Sequence, residues 1–447
     1  MAPAALDVNI RYASLTDVGV KRSHNQDACA SQPADAKHWE THGHVFIVAD
    51  GMGGHAVGEK ASAKAVRDIP LTYTKHVASE GVIAAIRRAF VEANESIFQI
   101  GVNNPEFKGL GTTGTALVVR PEGAWVGHVG DSRAYRVRGN RVQQLTFDHS
   151  WVWEVARRQG IDPDELGDFK KNVIIRSLGP DAEVEVDIEG PYPLEAGDTF
   201  LMCSDGLTNE VGHDEIGAVV AVFPPEEACK YLVELANIRG GRDNVTCLIV
   251  QIPANSVGLG PKATSLVRKV TRAANRANRV LPWPFLVLAV GAVTAAASVV
   301  LQVKDFRVLA LPAFAVATAT IFAGLVGLYL HIRRKHELHE TKQHTSLNEL
   351  HLYRDYAFDI GAATVEKFTT LGDALVTVCR ERAEVGGDID WPAYEKFTAA
   401  AADATAKADW INAFAARFQA VIALGAALNR NRNKDEFFRP NWAQPKH

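Results

Sequence analysis

The stretch VFIVADGMGGHAVGEKAS, residues Val45–Ser62, runs five apolar residues into an aspartate and then places four glycines within eight residues. Short Val/Ile-rich runs bounded by glycine read as buried strands, so Asp50 stands where a strand breaks into a glycine turn. Three chemistries compete for such a turn. A phosphate-binding P-loop needs GxxxxGK[ST], with lysine directly after the last glycine. Gly53 and Gly58 have that gap, but Glu59 intervenes and Lys60 is followed by Ala61, so an acid would lie against the phosphates. A dinucleotide fingerprint fits Gly51–Ala56 as G-x-G-x-x-A, yet it also wants a second strand ending in an acid roughly 20 residues on. Helical sequence through Asp68 and then LTYTKHV follows instead. The third chemistry is a metal site with Asp50 as ligand.

Recurrence favours the metal. Asp131 follows WVGHVG, Asp205 follows TFLMCS, Asp243 opens the strand NVTCLIV, and Asp27 sits in KRSHNQDA. Carboxylates are preferred ligands of hard cations such as Mg2+ and Mn2+. Gathered around one cleft they repel one another unless cations compensate. A single Asp-Gly is ordinary turn chemistry, but five such positions joined to apolar strands form a pattern.

Six blocks then occur in order: RSHNQDA, VADGMGGHAVGEKAS, GTTGTALVV, HVGDSRAYRVRGNRVQQLTFDHSWV, LMCSDGLTNEV and GGRDNVTCLIV. Together they resemble the metal-dependent protein phosphatases, the type 2C Ser/Thr phosphatases in their bacterial form, over about residues 8 to 252. That resemblance implies an α+β fold, a four-layer αββα sandwich of two antiparallel sheets flanked by helices. It implies two Mn2+ or Mg2+ ions per site, with Asp50 and a water bridging them and a third, weaker ion beside Asp131. Asp205 and Asp243 would hold one metal and the Gly51 carbonyl the other, Asp27 would orient metal-bound waters, and Arg22 would grip the substrate phosphate through charge-assisted contacts. The bridging water, acidified by both cations, would attack phosphorus in line, so no cysteine nucleophile is needed.

Two positions depart from common family patterns. Gln26 stands where many members have Glu, removing one negative charge behind the metals. Met52 stands where eukaryotic members often place a histidine proton donor, as in bacterial relatives, which leaves the general acid unassigned and His55 a candidate. His149 matches a common family position and reads as structural. Trp151–Gly179 corresponds to a variable flap beside the cleft, a place to choose the protein substrate.

The rest of the chain sets the context. Its 447 residues suffice for two or three domains. A net charge of -4 argues against a general nucleic-acid binder. The five cysteines, with no CxxC, read as reduced, buried small hydrophobes. The N-terminus shows no basic leader before an apolar core, and it is expected in the cytoplasm. The expected organisation is a phosphatase domain over 1–255, a basic linker over 256–280, spans at 281–303 and 308–330, and a cytoplasmic helical region over 336–447. Residues 282–303 and 308–330 lack Asp, Glu, Lys and Arg, and about 20 apolar residues cross a bilayer. Lys262 to Arg279 holds six basic residues and no acid, and Arg333, Arg334 and Lys335 follow the second span. The positive-inside rule then puts both termini in the cytoplasm as an inner-membrane hairpin, with the basic stretch also suited to anionic lipid.

In the tail, Val365, Phe368, Leu371, Leu375 and Val378 step at helical spacing, as do Phe414, Phe418 and Ile422. Trp391–Pro392 marks a helix start. A small helical bundle is expected there, with partner docking or self-association as its competing use. The function expected is a membrane-anchored phosphatase acting on phosphoserine and phosphothreonine of proteins, paired with a cognate Ser/Thr kinase. The competing reading is a catalytically weak phosphoprotein-binding scaffold, or an interaction protein working through its C-terminal helices.

Overall fold

The computed structural model describes residues 10–53, 57–107, 109–159, 173–253, 318, 354–383 and 389–430. The expected spans apart from residue 318, the basic linker, His55 and much of the flap lie outside the described residues. Two compact units divide the chain, Met1–Leu259 with Leu352–His447, and Gly260–His351.

The first unit is built on two antiparallel sheets. One runs β1 (Arg11–Asp17), β11 (Val245–Gln251), β10 (Thr199–Cys203), β7 (Arg133–Arg138), β8 (Arg141–Gln144), β12 (Arg354–Ala357). The other runs β2 (Asp27–Gln32), β3 (His44–Met52), β5 (Gly114–Arg120), β6 (Gly123–Val129), β9 (Asp187–Tyr192), with the short β4 (Gly111–Thr112) paired to the end of β3. Successive strand side chains point to opposite faces, and both faces are covered here. From β3, Phe46 and Val48 enter the core between the sheets, while Val45, Ile47 and Ala49 pack outward. They meet α1 (Val57–Glu80) and α2 (Val82–Asn103). Phe200 and Met202 of β10 likewise face inward, and Leu201 and Cys203 face the opposite helices. Burial on both faces explains why VFIVA is a continuous apolar run rather than an alternating one.

Helices α1 and α2 are separated by Gly81, whose φ of 81° is the left-handed region that favours glycine. An apolar stripe runs along α2, with Ile86, Ala89, Ala93 and Ile97 buried. After α3 (Trp151–Gln159), the outer face of the sheet that holds β1, β11, β10, β7 and β8 is covered by α4 (Asp205–Thr208), α5 (His213–Val222) and α6 (Pro225–Ile238).

The C-terminal segment folds onto this same face. It supplies β12 and the helices α7 (Ala362–Ala383), α8 (Trp391–Ala406) and α9 (Trp410–Arg430). Asp390 caps α8, accepting from the Ala393 amide at 3.0 Å. Phe368, Phe414 and Phe418 are fully buried in one core with Phe223 at the end of α5 and Leu232 and Ile238 of α6. Gly425 lets α9 approach Ile238, where a Cβ would collide with that side chain. Residues Trp410–Asn429 are long and apolar enough to cross a membrane by length and composition, with a mean hydropathy of 1.5, but 61% of that window is buried inside the fold. This helix is used as a core element. All five cysteines are free thiols, four of them buried.

Candidate active site

All five aspartates sit at or within two residues of a strand end. Asp27 opens β2 directly opposite Asp50 on β3. Asp205 follows the end of β10, and Asp243 lies just before β11, the strand paired to β10. Asp131 lies between β6 and β7. Burial raises the Asp50 carboxyl well above the ordinary carboxylate range, and repulsion from Asp27, Asp205, Asp131 and Asp243 adds to it. Asp131 and Asp205 are pushed up for the same two reasons, burial first. Asp27 is carried by burial up to about 7, against the pull of two hydroxyl donors.

Those donors are Ser204 and Thr246, whose hydroxyls each donate to Asp27 Oδ2 at 2.7 Å. The other oxygen, Oδ1, is buried and has no hydrogen-bond partner, as are Oδ1 of Asp131 and Oδ1 of Asp205. A buried acceptor left unpaired costs about 1–3 kcal/mol, more when charged. Three such oxygens from three strand ends, in a mutually repelling cluster, fit hard divalent cations. Among the described residues no three acidic, imidazole or thiol groups are drawn up closely enough to grip an ion as they stand. Asp243 Oδ2 is turned to Arg22 Nη2 at 2.7 Å, and Asp205 Oδ2 accepts from Asn209 at 3.1 Å.

The glycine turn is clamped by backbone. The Gly51 amide donates to the Gln26 carbonyl at 3.1 Å, and Ser62 on α1 donates to the same carbonyl. Gly51 and Gly58 lie back to back, so that a Cβ on Gly58 would come within 2.7 Å of the Gly51 carbonyl carbon. Asp50 is tied on both sides, its amide donating to Thr113 Oγ1 at 2.8 Å and its carbonyl accepting from Thr112 Oγ1 at 2.9 Å. Gln26 therefore anchors the turn through its main chain, whatever its side chain contributes.

A cleft of about 610 Å³ contains Arg22, Asp131, Asp205 and Asp243 in its lining, together with Arg133 and the Glu210–His213 segment. Arg133 is held by Asp148 through contacts of 2.7 to 3.0 Å, a buried pair that the sequence reading did not single out. The hydroxyl and amide supports at Ser204, Thr246, Thr112, Thr113 and Asn209 were missed as well. Ser204 directly precedes Asp205 in sequence, whereas Thr113 meets the Asp50 backbone only in the fold. His149 is structural here: its Nδ1 accepts from the Gly130 amide at 3.0 Å and its Nε2 donates to Asp187. Its neighbour His128 is lowered by burial to about 3 and is therefore neutral.

Comparison with known proteins identifies the family. A family model described as protein phosphatase 2C matches residues 20–231. The chain is 35% identical over 247 residues to "Serine/threonine phosphatase stp" of Listeria welshimeri, covering 53% of this chain and 93% of that protein. It is 36% identical over 244 residues to "Protein phosphatase PhpP" of Streptococcus pneumoniae, covering 53% and 96%. Among solved structures, the serine/threonine phosphatase PstP/Ppp of Mycobacterium tuberculosis is 29% identical, with 55% of this chain and 99% of that chain covered at a TM-score of 0.48. The chain belongs to the protein phosphatase 2C family, and it is a metal-dependent phosphoprotein phosphatase.

Proposed function

We propose that the chain removes phosphate from phosphoserine and phosphothreonine of proteins at the carboxylate cleft, and that residues 281–303 and 308–330 tether it to the cytoplasmic face of the inner membrane. The observation that carries the catalytic part is the set of buried, unpartnered carboxylate oxygens on Asp27, Asp131 and Asp205 beside Asp50. The tether is supported by the two uncharged runs and the basic residues that flank them.

In this reading Asp50, Asp205 and Asp243 would hold two Mn2+ or Mg2+ ions with the Gly51 carbonyl, and Asp131 would take part in a third, weaker site. Bound cations supply Lewis acidity, which lowers the pKa of a water for in-line attack on phosphorus and neutralises phosphoryl charge. The protein does the rest. Thr112 and Thr113 fix the Asp50 backbone beside the cluster of acids. Ser204 and Thr246 saturate one oxygen of Asp27 and leave the other to orient a water. Arg22 is half exposed at the cleft, and its guanidinium can exchange Asp243 for the phosphoryl oxygens of substrate, a bidentate match.

Phosphorylated proteins are the substrates of this reading, with a membrane-held Ser/Thr kinase as the natural counterpart, since tethering raises effective concentration. Calorimetric titration with Mn2+ tests the site directly. The full chain is expected to bind at least two ions, and Asp205→Asn is expected to lose one of them. Equal stoichiometry and affinity in the two proteins would remove Asp205 from the metal site.

A further inference from the structure

The C-terminal segment reaches the cleft. Strand β12 extends the sheet beyond β8, with Tyr356 opposite Val142 and Asp355 opposite Gln143. From that strand the Tyr356 ring lies flat on His213, at a centroid separation of 4.1 Å and an interplanar angle of 12°. His213 and Gly212 line the same cleft as Asp131, Asp205 and Asp243. On its other side His213 meets Tyr135, at 5.5 Å and 53°, and the Tyr135 hydroxyl accepts from Arg133 of the cleft floor at 3.3 Å.

Neighbouring contacts fix the same corner. Phe358 is buried against Gly217 of α5, so closely that a Cβ there would come within 2.5 Å of its ring. Lys367 of α7 bonds Glu215 Oε1 at 2.9 Å. Glu215 in turn accepts from the Gly212 amide at 3.0 Å and from both guanidinium nitrogens of Arg239 at 2.6 Å. Arg239 also donates to the Glu210 carbonyl at 2.9 Å. The wall from Glu210 to His213 is thus held from behind by three residues supplied from beyond residue 353.

We propose that Tyr356 is a positioning residue of the active site, setting His213 and the Glu210–His213 wall against which the peptide flanking the phosphorylated side chain docks. This rests on the phosphatase reading of the cleft and extends it. The phosphoryl group is bound at the carboxylates and Arg22, whereas the wall meets only a substrate large enough to reach it. Tyr356 therefore acts on peptide substrates more than on a small aryl phosphate.

The test uses the full chain with Mn2+ and two substrates, a phosphothreonine peptide and para-nitrophenyl phosphate. Losing the stacked ring in Tyr356→Ala is expected to lower the ratio of peptide to aryl-phosphate kcat/KM about two- to tenfold, chiefly through peptide KM. Tyr356→Phe keeps the ring and is expected to keep the ratio. In a His213→Ala background the Tyr356→Ala effect is expected to vanish, because contacting residues are not additive. Tyr356→Leu, which retains apolar volume on the strand, gives the same comparison if the alanine variant does not fold. An unchanged ratio in Tyr356→Ala or Tyr356→Leu, equal losses on both substrates, or a full effect in the His213→Ala background would overturn the proposal. Mn2+-dependent aryl-phosphate hydrolysis judges the phosphatase reading separately, so the two can fail independently.

Discussion

Asp27 shows how a single side chain is divided between structure and chemistry. Oδ2 takes two hydroxyl donors from neighbouring strands of the opposite sheet, and Oδ1 takes none. Hydrogen-bonded supports of this kind orient groups around a metal, and their loss typically costs 10–100-fold in affinity or activity. Ser204→Ala combined with Thr246→Val is therefore expected to weaken Mn2+ binding by about 10–100-fold while leaving the fold intact, as read by calorimetry beside circular dichroism. Unchanged affinity would show that Asp27 does not serve the cations. The acids themselves were legible in sequence because each follows or opens an apolar run. Ser204 carried only its adjacency to Asp205, and Thr246 carried no sign, since a strand hydroxyl has no sequence pattern until register places it near its partner.

Helix α5 depends on one buried ionic cluster. Burial by itself raises the Glu215 carboxyl, but hydrogen bonds and charge from Arg239, with Lys367, outweigh it and bring the group down to about 2. The folded value lies below the free carboxyl's 4.5, so the contribution to stability is complete above pH 4.5 and is lost as pH falls towards 2. Denaturant midpoints of the full chain and of Glu215→Gln are expected to differ most near neutral pH and to converge as pH falls. Arg239→Ala, which leaves a buried carboxylate unpaired, is expected to cost about 3–5 kcal/mol at pH 7. A gap between the two proteins that stays constant with pH would contradict this account. Arg239 follows α6 directly and Glu215 lies in the first turn of α5. That separation kept the pair out of reach of a motif-based reading.

Across the whole molecule, the inner strands and the glycine turn after β3 could be read from period and composition, while the place of the C-terminal helices could not. Their apolar faces were visible, with Val365, Phe368 and Leu375 buried as the spacing suggested. Their counterpart was hidden in α6, where Ala228, Cys229, Leu232, Val233, Leu235, Ala236 and Ile238 are all buried. A helix apolar on more than one stripe packs on more than one side, and that was the available clue. Strand β12 is four residues long, too short to show any period. One physical consequence is that residues 1–255 alone would expose Phe223, Leu232 and Ile238 to water. The central claim is that cations at Asp50 drive hydrolysis of protein phosphate. Initial rates on a phosphothreonine peptide, measured for the full chain with and without Mn2+ and for Asp50→Asn, test it most directly. The account predicts turnover that requires Mn2+ or Mg2+ and is abolished in the variant. Turnover that persists in Asp50→Asn, or that no divalent cation restores, would contradict it.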